Sequence, residues 1–461
     1  MKNTVTRRTL LAGTAAAGAG ILLPPTVNGA TSKAGVVDPN WNRILIKIEI
    51  NGGNDGLNTV IPYTVSDYIT RRPTLKYDAG VLGSSLLGNA PYYTNGALSS
   101  TPMALNPSIS YHLKNAWDNS EMAIFLGLGY DDPNLSHFRS MDIWNGGTAA
   151  NQFVSDNWLG RLLAQNNIAA RTEMTAHGVL LSRYSSNPLQ KGGINYLAMS
   201  KPKDFIDNSY YLQNTTGITS VSTQFEHHLR TQQIVYQASS AFRAALATSN
   251  RIPPTLPTEP KHYNYTPPTL GNTTYPVAFN QASDFEKRCQ SIAEMICTYG
   301  TPNALKIPVF KVEIGGFDNH DTQKAKHEDL LAQVGSGIAN LRRAFQAKGI
   351  WDRVLIMTYS EFGRRVEENG SKGTDHGTAN CHFMVGGKVK GKLFYGEQPG
   401  LVKATDLDSR GNLRRRMDFR QYYATAASWL GLDFANDTTT GLAGSGLPYI
   451  AGQVAVDLFN P

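Results

Sequence analysis

Val354-Leu355-Ile356-Met357 opens a stretch, residues 353–387, that decides the fold. It turns polar at Ser360-Glu361-Phe362-Gly363-Arg364 and carries Gly373-Thr374-Asp375-His376-Gly377 before a second apolar run, Phe383-Met384-Val385. Two buried strands delivering acid and imidazole groups to one edge is the reading these residues support, because ligands and catalytic groups in open α/β sheets gather outside the carboxyl ends of the strands. The same event occurs twice upstream. Residues 308–314 form an apolar run ending in Gly315-Gly316-Phe317-Asp318-Asn319-His320-Asp321, and residues 44–50 form another ending in Gly52-Gly53-Asn54-Asp55-Gly56. Three apolar strands thus run directly into glycine and then an acid or a histidine.

A chain of 461 residues with ordinary apolar and aromatic content has enough material for a large core. Its net charge of +7 is mild for that length, and Arg414-Arg415-Arg416 reads as a solvated face, with no nucleic-acid recognition motif beside it. Residues 1–30 read as a targeting segment: Thr6-Arg7-Arg8-Thr9-Leu10-Leu11 is a twin-arginine pattern, followed by a weakly apolar Ala/Gly-rich run. Twin-arginine export carries folded proteins and points to the bacterial periplasm or beyond. No window approaches the ~20 continuous apolar residues of a transmembrane helix. The three cysteines, Cys289, Cys297 and Cys381, are too few for a disulfide scaffold and read as core thiols.

Along the chain, Lys47 and Glu49 alternate with Ile46, Ile48 and Ile50, which predicts a strand with one face near water at its end. Residues 62–105 lack periodicity and read as a long irregular insertion. Residues 122–127 predict a second buried strand, then a helix from Asn134 or Ser136 through Trp144, with either residue suited to cap it. Helices follow from Asp156 and over 219–249, 279–299, 324–348 and 418–432, with a strand at 178–182 and a hairpin at 389–395. His227, His228 and His327 read as surface residues, and 250–278 as a second long insertion, a loop or a lid. The alternation predicts one α/β domain over 31–461, a sandwich around a mostly parallel sheet.

Asp318 and His320, two apart in an extended segment, share a side. With Asp55, Glu361, Asp375 and His376 they make a site of carboxylates and imidazoles without thiolates, suited to one or two divalent ions, Zn, Mn or Mg. Such a site is hydrolytic in character, and Arg364, one helical turn from Glu361, would clamp an anionic ester by its fork geometry. Ser136, with His137 beside it, stands at a helix start where backbone N–H groups can hold an anion.

Gly-Gly-Asn-Asp-Gly-Leu-Asn at 52–58, Ser136-His137-Phe138, Gly-Gly-Phe-Asp-Asn-His at 315–320, Ser-Glu-Phe-Gly-Arg at 360–364 and Gly-Thr-Asp-His-Gly at 373–377 together resemble the DUF1501 family. That resemblance implies the alkaline phosphatase and sulfatase superfamily, a three-layer α/β/α sandwich, and metal-assisted ester hydrolysis. It assigns Asp55 as a first-strand ligand, Ser136 as nucleophile, Asp318 with His320 and then His376 as ligands. The pattern departs at the acid-histidine pair, where Phe362 follows Glu361, which puts a full two-ion site in doubt and leaves Asp375 as a substitute. No Cys-x-Pro-x-Arg motif of a formylglycine sulfatase surrounds the cysteines. The alternative class is a non-catalytic exported protein that binds a ligand or a protein partner on this fold.

Overall fold

A computed structural model describes residues 43–168, 174, 176–181, 187–199, 277, 279–297, 306–435, 450 and 453–460. The export segment at 1–30, the helix expected over 219–249 with its two histidines, and the 250–278 insertion apart from Val277 lie outside the described residues.

Fifteen strands are described: β1 (Ile44–Ile50), β2 (Val60–Ile61), β3 (Leu86–Thr94), β4 (Ala97–Leu105), β5 (Met122–Gly129), β6 (Gly178–Leu181), β7 (Tyr196–Met199), β8 (Val309–Ile314), β9 (Val354–Tyr359), β10 (Arg364–Glu368), β11 (Thr374–His376), β12 (Asn380–Gly386), β13 (Leu393–Gly396), β14 (Gln398–Pro399) and β15 (Met417–Asp418). The main sheet runs β13-β5-β12-β9-β1-β8-β6-β7, with β15 beside β5. β1 sits between β8 and β9, parallel to both; Ile46 pairs with Phe310 on one side and Ile356 on the other. Only β12 opposes its neighbours β5 and β9 in this sheet. The carboxyl ends of β5, β9, β1 and β8 therefore share one edge, where β12 begins.

Among the described residues the α-helices are α1 (Gly56–Thr59), α2 (Ser66–Arg71), α3 (Pro107–Asp118), α4 (His137–Gly146), α5 (Trp158–Gln165), α6 (Asp284–Ile296), α7 (Gln323–Ala347) and α8 (Phe419–Trp429). Strand alternation sorts them into layers. Ile44, Ile46, Ile48 and Ile50 enter one core with Leu113 of α3, Ile292 of α6 and Leu331, Val334 and Ile338 of α7. Leu45 enters the opposite core with Ile143 of α4, Leu159 of α5 and Tyr422 and Tyr423 of α8. The result is a three-layer α/β/α sandwich around a mostly parallel sheet.

Several expectations are corrected. β1 has no wet face: Lys47 and Glu49 are fully buried. The Lys47 ammonium lies 4.4 to 4.9 Å from the ring centres of Tyr359, Tyr423 and Trp158. Burial holds that amine well below lysine's ordinary range. Glu49 Oε2 accepts from Tyr359 at 2.6 Å and pairs with Lys311 at 3.0 Å. Polar alternation here marks a buried network between strands. Residues 62–105 are ordered as α2 and a β3–β4 hairpin within a four-stranded sheet, β14-β3-β4-β2. The hairpin turns at Asn95-Gly96, where both φ are positive (50° and 76°), the geometry of a two-residue primed turn. Residues 389–395 are not a hairpin, since β13 lies parallel to β5. His327 is buried on α7, its Nε2 3.0 Å from Asn54 Oδ1, because the first turns of that helix pack over the loop leaving β1. All three cysteines are free and buried. Among the described residues no helix is long and apolar enough to cross a membrane.

Candidate metal centre at the sheet edge

Two glycines let the loops after β1, β8 and β9 close on one another. Gly52 has φ +118°, and a Cβ there would stand 2.4 Å from the Asp318 nitrogen. Its own N–H donates to Glu361 Oε1 at 2.9 Å. Gly53, at φ +74°, would place a Cβ 2.4 Å from the Phe362 ring. Only glycine permits both the left-handed backbone and this approach.

Asp318 is the hub. His320 Nε2 and His376 Nε2 each lie 3.0 Å from its Oδ1, and 3.1 Å from one another. His137 Nε2 is 3.4 Å from Oδ2. These spacings approach the roughly 3.3 Å that separates donor atoms on a four-coordinate zinc with ~2.0 Å bonds. Among the described residues, His137, Asp318 and His376 form the group able to hold a metal ion, their ligand atoms within 4.8 Å of one another.

Hydrogen bonding behind the rings decides what they present. His376 Nδ1 is 2.8 Å from the Leu135 carbonyl, which can only accept, so Nδ1 carries the proton. His137 Nδ1 is 2.7 Å from Glu361 Oε1, and the same logic applies. In the neutral rings both Nε2 atoms therefore aim lone pairs at Asp318, an arrangement that a cation or an extra proton must relieve. Histidines backed by a carboxylate or carbonyl are the form metal-binding imidazoles take. The Glu361 hydrogen bond raises the His137 pKa. For Asp318, burial works upward, but the hydrogen bond and charge of the Arg364 guanidinium hold the carboxyl well below the usual carboxylate range. Phe362 packs 4.8 Å from the His137 ring and 4.7 Å from that of His376, forming an apolar wall at the position where the family resemblance leads one to expect a histidine.

The sequence-designated residues fall into distinct places. Asp318, His320, His376 and His137 are together. Glu361 is buried behind His137, with Ser360 Oγ on its other oxygen at 3.1 Å. Asp375 stands at the rim, 3.7 Å from His320 Nδ1 and 3.5 Å from Arg365. Asp55 is not brought into the cluster. Both its oxygens are held by buried Arg72, at 2.9 and 2.7 Å, and Gln323 donates at 2.5 Å. Burial pushes the Asp55 pKa up, yet Arg72 outweighs it and the net shift is downward. Arg364 is no surface clamp and lies on no helix; it opens β10 and is buried. Its guanidinium donates to the carbonyls of Gly53 (2.7 Å), Thr374 (2.9 Å), Phe317 (3.1 Å) and Gly52, and to Asp318 Oδ1 (2.6 Å). It fixes three loops and aims Asp318.

Ser136 precedes α4 with an extended backbone and makes no side-chain capping bond; Asn134 Oδ1 accepts from its N–H at 2.8 Å. It is exposed, and both its neighbours touch the cluster, Leu135 through its carbonyl and His137 through its ring. A cavity of about 670 Å³ opens beside the cluster, lined by His137 and Glu361 and by side chains of α4 and residues 148–157. No sequence motif marks it.

A family model described as a protein of unknown function, DUF1501, matches residues 127–445. No curated protein matches the chain. Among solved structures, the C-terminal periplasmic domain of EcEptC from Escherichia coli, in complex with Zn, is 11% identical, with 90% of this chain and 88% of that chain covered at a TM-score of 0.35. The phosphonate monoester hydrolase SpPMH from Silicibacter pomeroyi is 12% identical, covering 90% and 78% at 0.34. The PsFucS1 sulfatase from Pseudoalteromonas sp. is 12% identical, covering 85% and 68% at 0.35.

Proposed function

The chain belongs to the DUF1501 family, and from that premise we propose that it is an exported, metal-dependent hydrolase of phosphate or related sulfate and phosphonate esters. The observation that supports this most is the convergence of His137 and His376 Nε2 lone pairs on Asp318, with both Nδ1 protons committed to oxygen acceptors behind.

Asp318, His320, His376 and His137 would hold one divalent ion, and a donor set of imidazoles with a carboxylate suits zinc above manganese or magnesium. Glu361 would orient His137, and Arg364 would orient Asp318. Asp375, half-exposed beside His320, would serve a second ion. Such an ion, when bound, supplies charge neutralisation for a phosphoryl or sulfuryl group. Ser136 is the proposed nucleophile, since its hydroxyl is exposed, is not engaged in capping, and is flanked by residues that touch the cluster. The substrate would be a small anionic ester. Export would use the twin-arginine segment at residues 6–11 and deliver the folded protein to the periplasm or beyond.

A second reading, a binding protein that keeps the fold without turnover, is favoured by one feature: Phe362 fills with an apolar ring a position that the resemblance gives to a ligand. In that case the partner would be a protein rather than nucleic acid.

Elemental mass spectrometry on protein purified without chelator separates the readings. The hydrolase reading expects stoichiometric metal that is lost in Asp318→Ala/His320→Ala, and ester turnover that disappears in Ser136→Ala while metal stays bound. Retained turnover in Ser136→Ala would remove that residue from the mechanism. A folded, metal-free protein inactive on phosphate, sulfate and phosphonate esters would favour the binding reading.

A further inference from the structure

We infer that the cavity beside the histidine cluster binds the sugar portion of the substrate, so that the ester cleaved is a carbohydrate sulfate or phosphate; this rests on the hydrolase reading above. The cavity shares His137 and Glu361 with the cluster and extends to Phe138 and Phe153, which are 86% and 80% exposed. Two large apolar rings held in water beside a polar cavity call for a ligand, because rings of this size are normally buried.

Phe153 is held in place. The Arg139 guanidinium lies 3.8 Å from its ring centre while Nη2 donates to the Ala150 and Gln152 carbonyls, each at 2.7 Å. The guanidinium supports the ring and pins the loop that carries it. The electron-rich face of a phenyl ring suits the C–H face of a pyranose. Half of the described polar side chains that line the cavity are carboxamides, among them Gln152, Asn157, Asn187 and Gln190, alongside the carboxylates of Asp142 and Glu361. A carboxamide both donates and accepts, as a sugar hydroxyl does.

The alternatives fit less well. A nucleic acid strand needs cationic side chains along its backbone, and Arg139, the one arginine among the described lining residues, is engaged with carbonyls. A lipid ester needs continuous apolar walls, which carboxamides do not provide. The volume, about 670 Å³, lies within the roughly 300–1,000 Å³ that encloses a drug-sized ligand. The anionic group would then sit at the cluster and the uncharged hydroxyls along the carboxamides.

The test is capture of the full-length protein on an array of neutral, sulfated and phosphorylated oligosaccharides. The expected result is capture of charged oligosaccharides that falls at least tenfold in Phe138→Ala/Phe153→Ala, whose melting temperature stays unchanged because both rings are exposed. His376→Ala, measured alongside, should lose ester cleavage and still capture. Absence of capture, or capture indifferent to the double substitution, overturns the inference. Capture without any ester turnover would overturn the hydrolase reading and leave only the sugar-binding part of this inference, and turnover of small esters without capture would overturn only this one.

Discussion

Glu361 and His137 stand 224 positions apart in the chain and meet at 2.7 Å, carboxylate Oε1 against imidazole Nδ1. Strand β9 delivers the acid and the first residue of α4 delivers the ring. The same oxygen accepts the Gly52 N–H from the loop after β1, so one buried carboxylate ties three segments and sets which nitrogen of His137 faces Asp318.

Glu361→Gln keeps the volume and weakens that tie, because a neutral amide raises the ring's basicity less than a carboxylate does. Metal affinity, measured by competition with a fluorescent chelator, should fall about 10–100-fold with the fold intact. Unchanged affinity would mean that His137 is no ligand.

Arg364→Ala strips the donors from four buried carbonyls and the partner from Asp318. A loss of roughly 3 kcal/mol or more is expected in urea unfolding. Arg364→Lys should recover little of it, since an ammonium cannot span the fork. Full stability with a raised KM for an anionic ester would restore the substrate-clamp role that burial argues against.

Gly52→Ala combines a φ of +118° with a Cβ 2.4 Å from the Asp318 backbone. The loops after β1 and β8 must separate, at a cost of about 2 kcal/mol or more. Metal uptake should fall in parallel with the melting temperature. A variant that keeps both would show that the two loops need not touch.

Low pH should destabilise the fold through histidines outside the cluster. Burial pushes His327 down to about 4 and His382 down to about 3, against roughly 6.5 in an unfolded chain. Below 6.5 the unfolded chain takes up protons that the fold refuses. Stability is therefore complete above that value and is lost progressively as pH falls toward 4 and then 3. At pH 5 each ring costs about 2 kcal/mol. Melting temperatures from pH 8 to pH 4 test this, and a flat profile would contradict the burial of both rings.

The strand ends were legible in sequence because an apolar run breaking into glycine and then an acid is a local pattern, and every strand of the central four announced itself that way or by apolarity alone. Asp318, His320 and His376 followed from it. Asp55 had the same local signature, but its partner Arg72 lies in a stretch without periodicity, and no local rule pairs them. Lys47 and Glu49 misled for a related reason: alternating polarity usually marks water, and here it marks Lys311, Tyr359 and an aromatic cage drawn from two distant helices and a neighbouring strand. Asn95-Gly96 was a readable hairpin signal hidden among small residues. The cavity had no readable signal, since most of its walls come from residues 137–157 and 187–190, with Asn51 and Glu361 added from the sheet edge, and no motif joins them.

Strand β1 finds both its neighbours far down the chain, with Ile46 against Phe310 and Ile356. Pairings between such distant segments form late, after the entropy of closing a long loop has been overcome. A ribosome that has synthesised only the first three hundred residues has therefore made a first strand with no partner on either side, and a truncated chain would carry bare edges in place of a half-built centre. The cluster therefore waits on the residues after 300 that carry Asp318, His320 and His376, and shortened products should be prey for proteases.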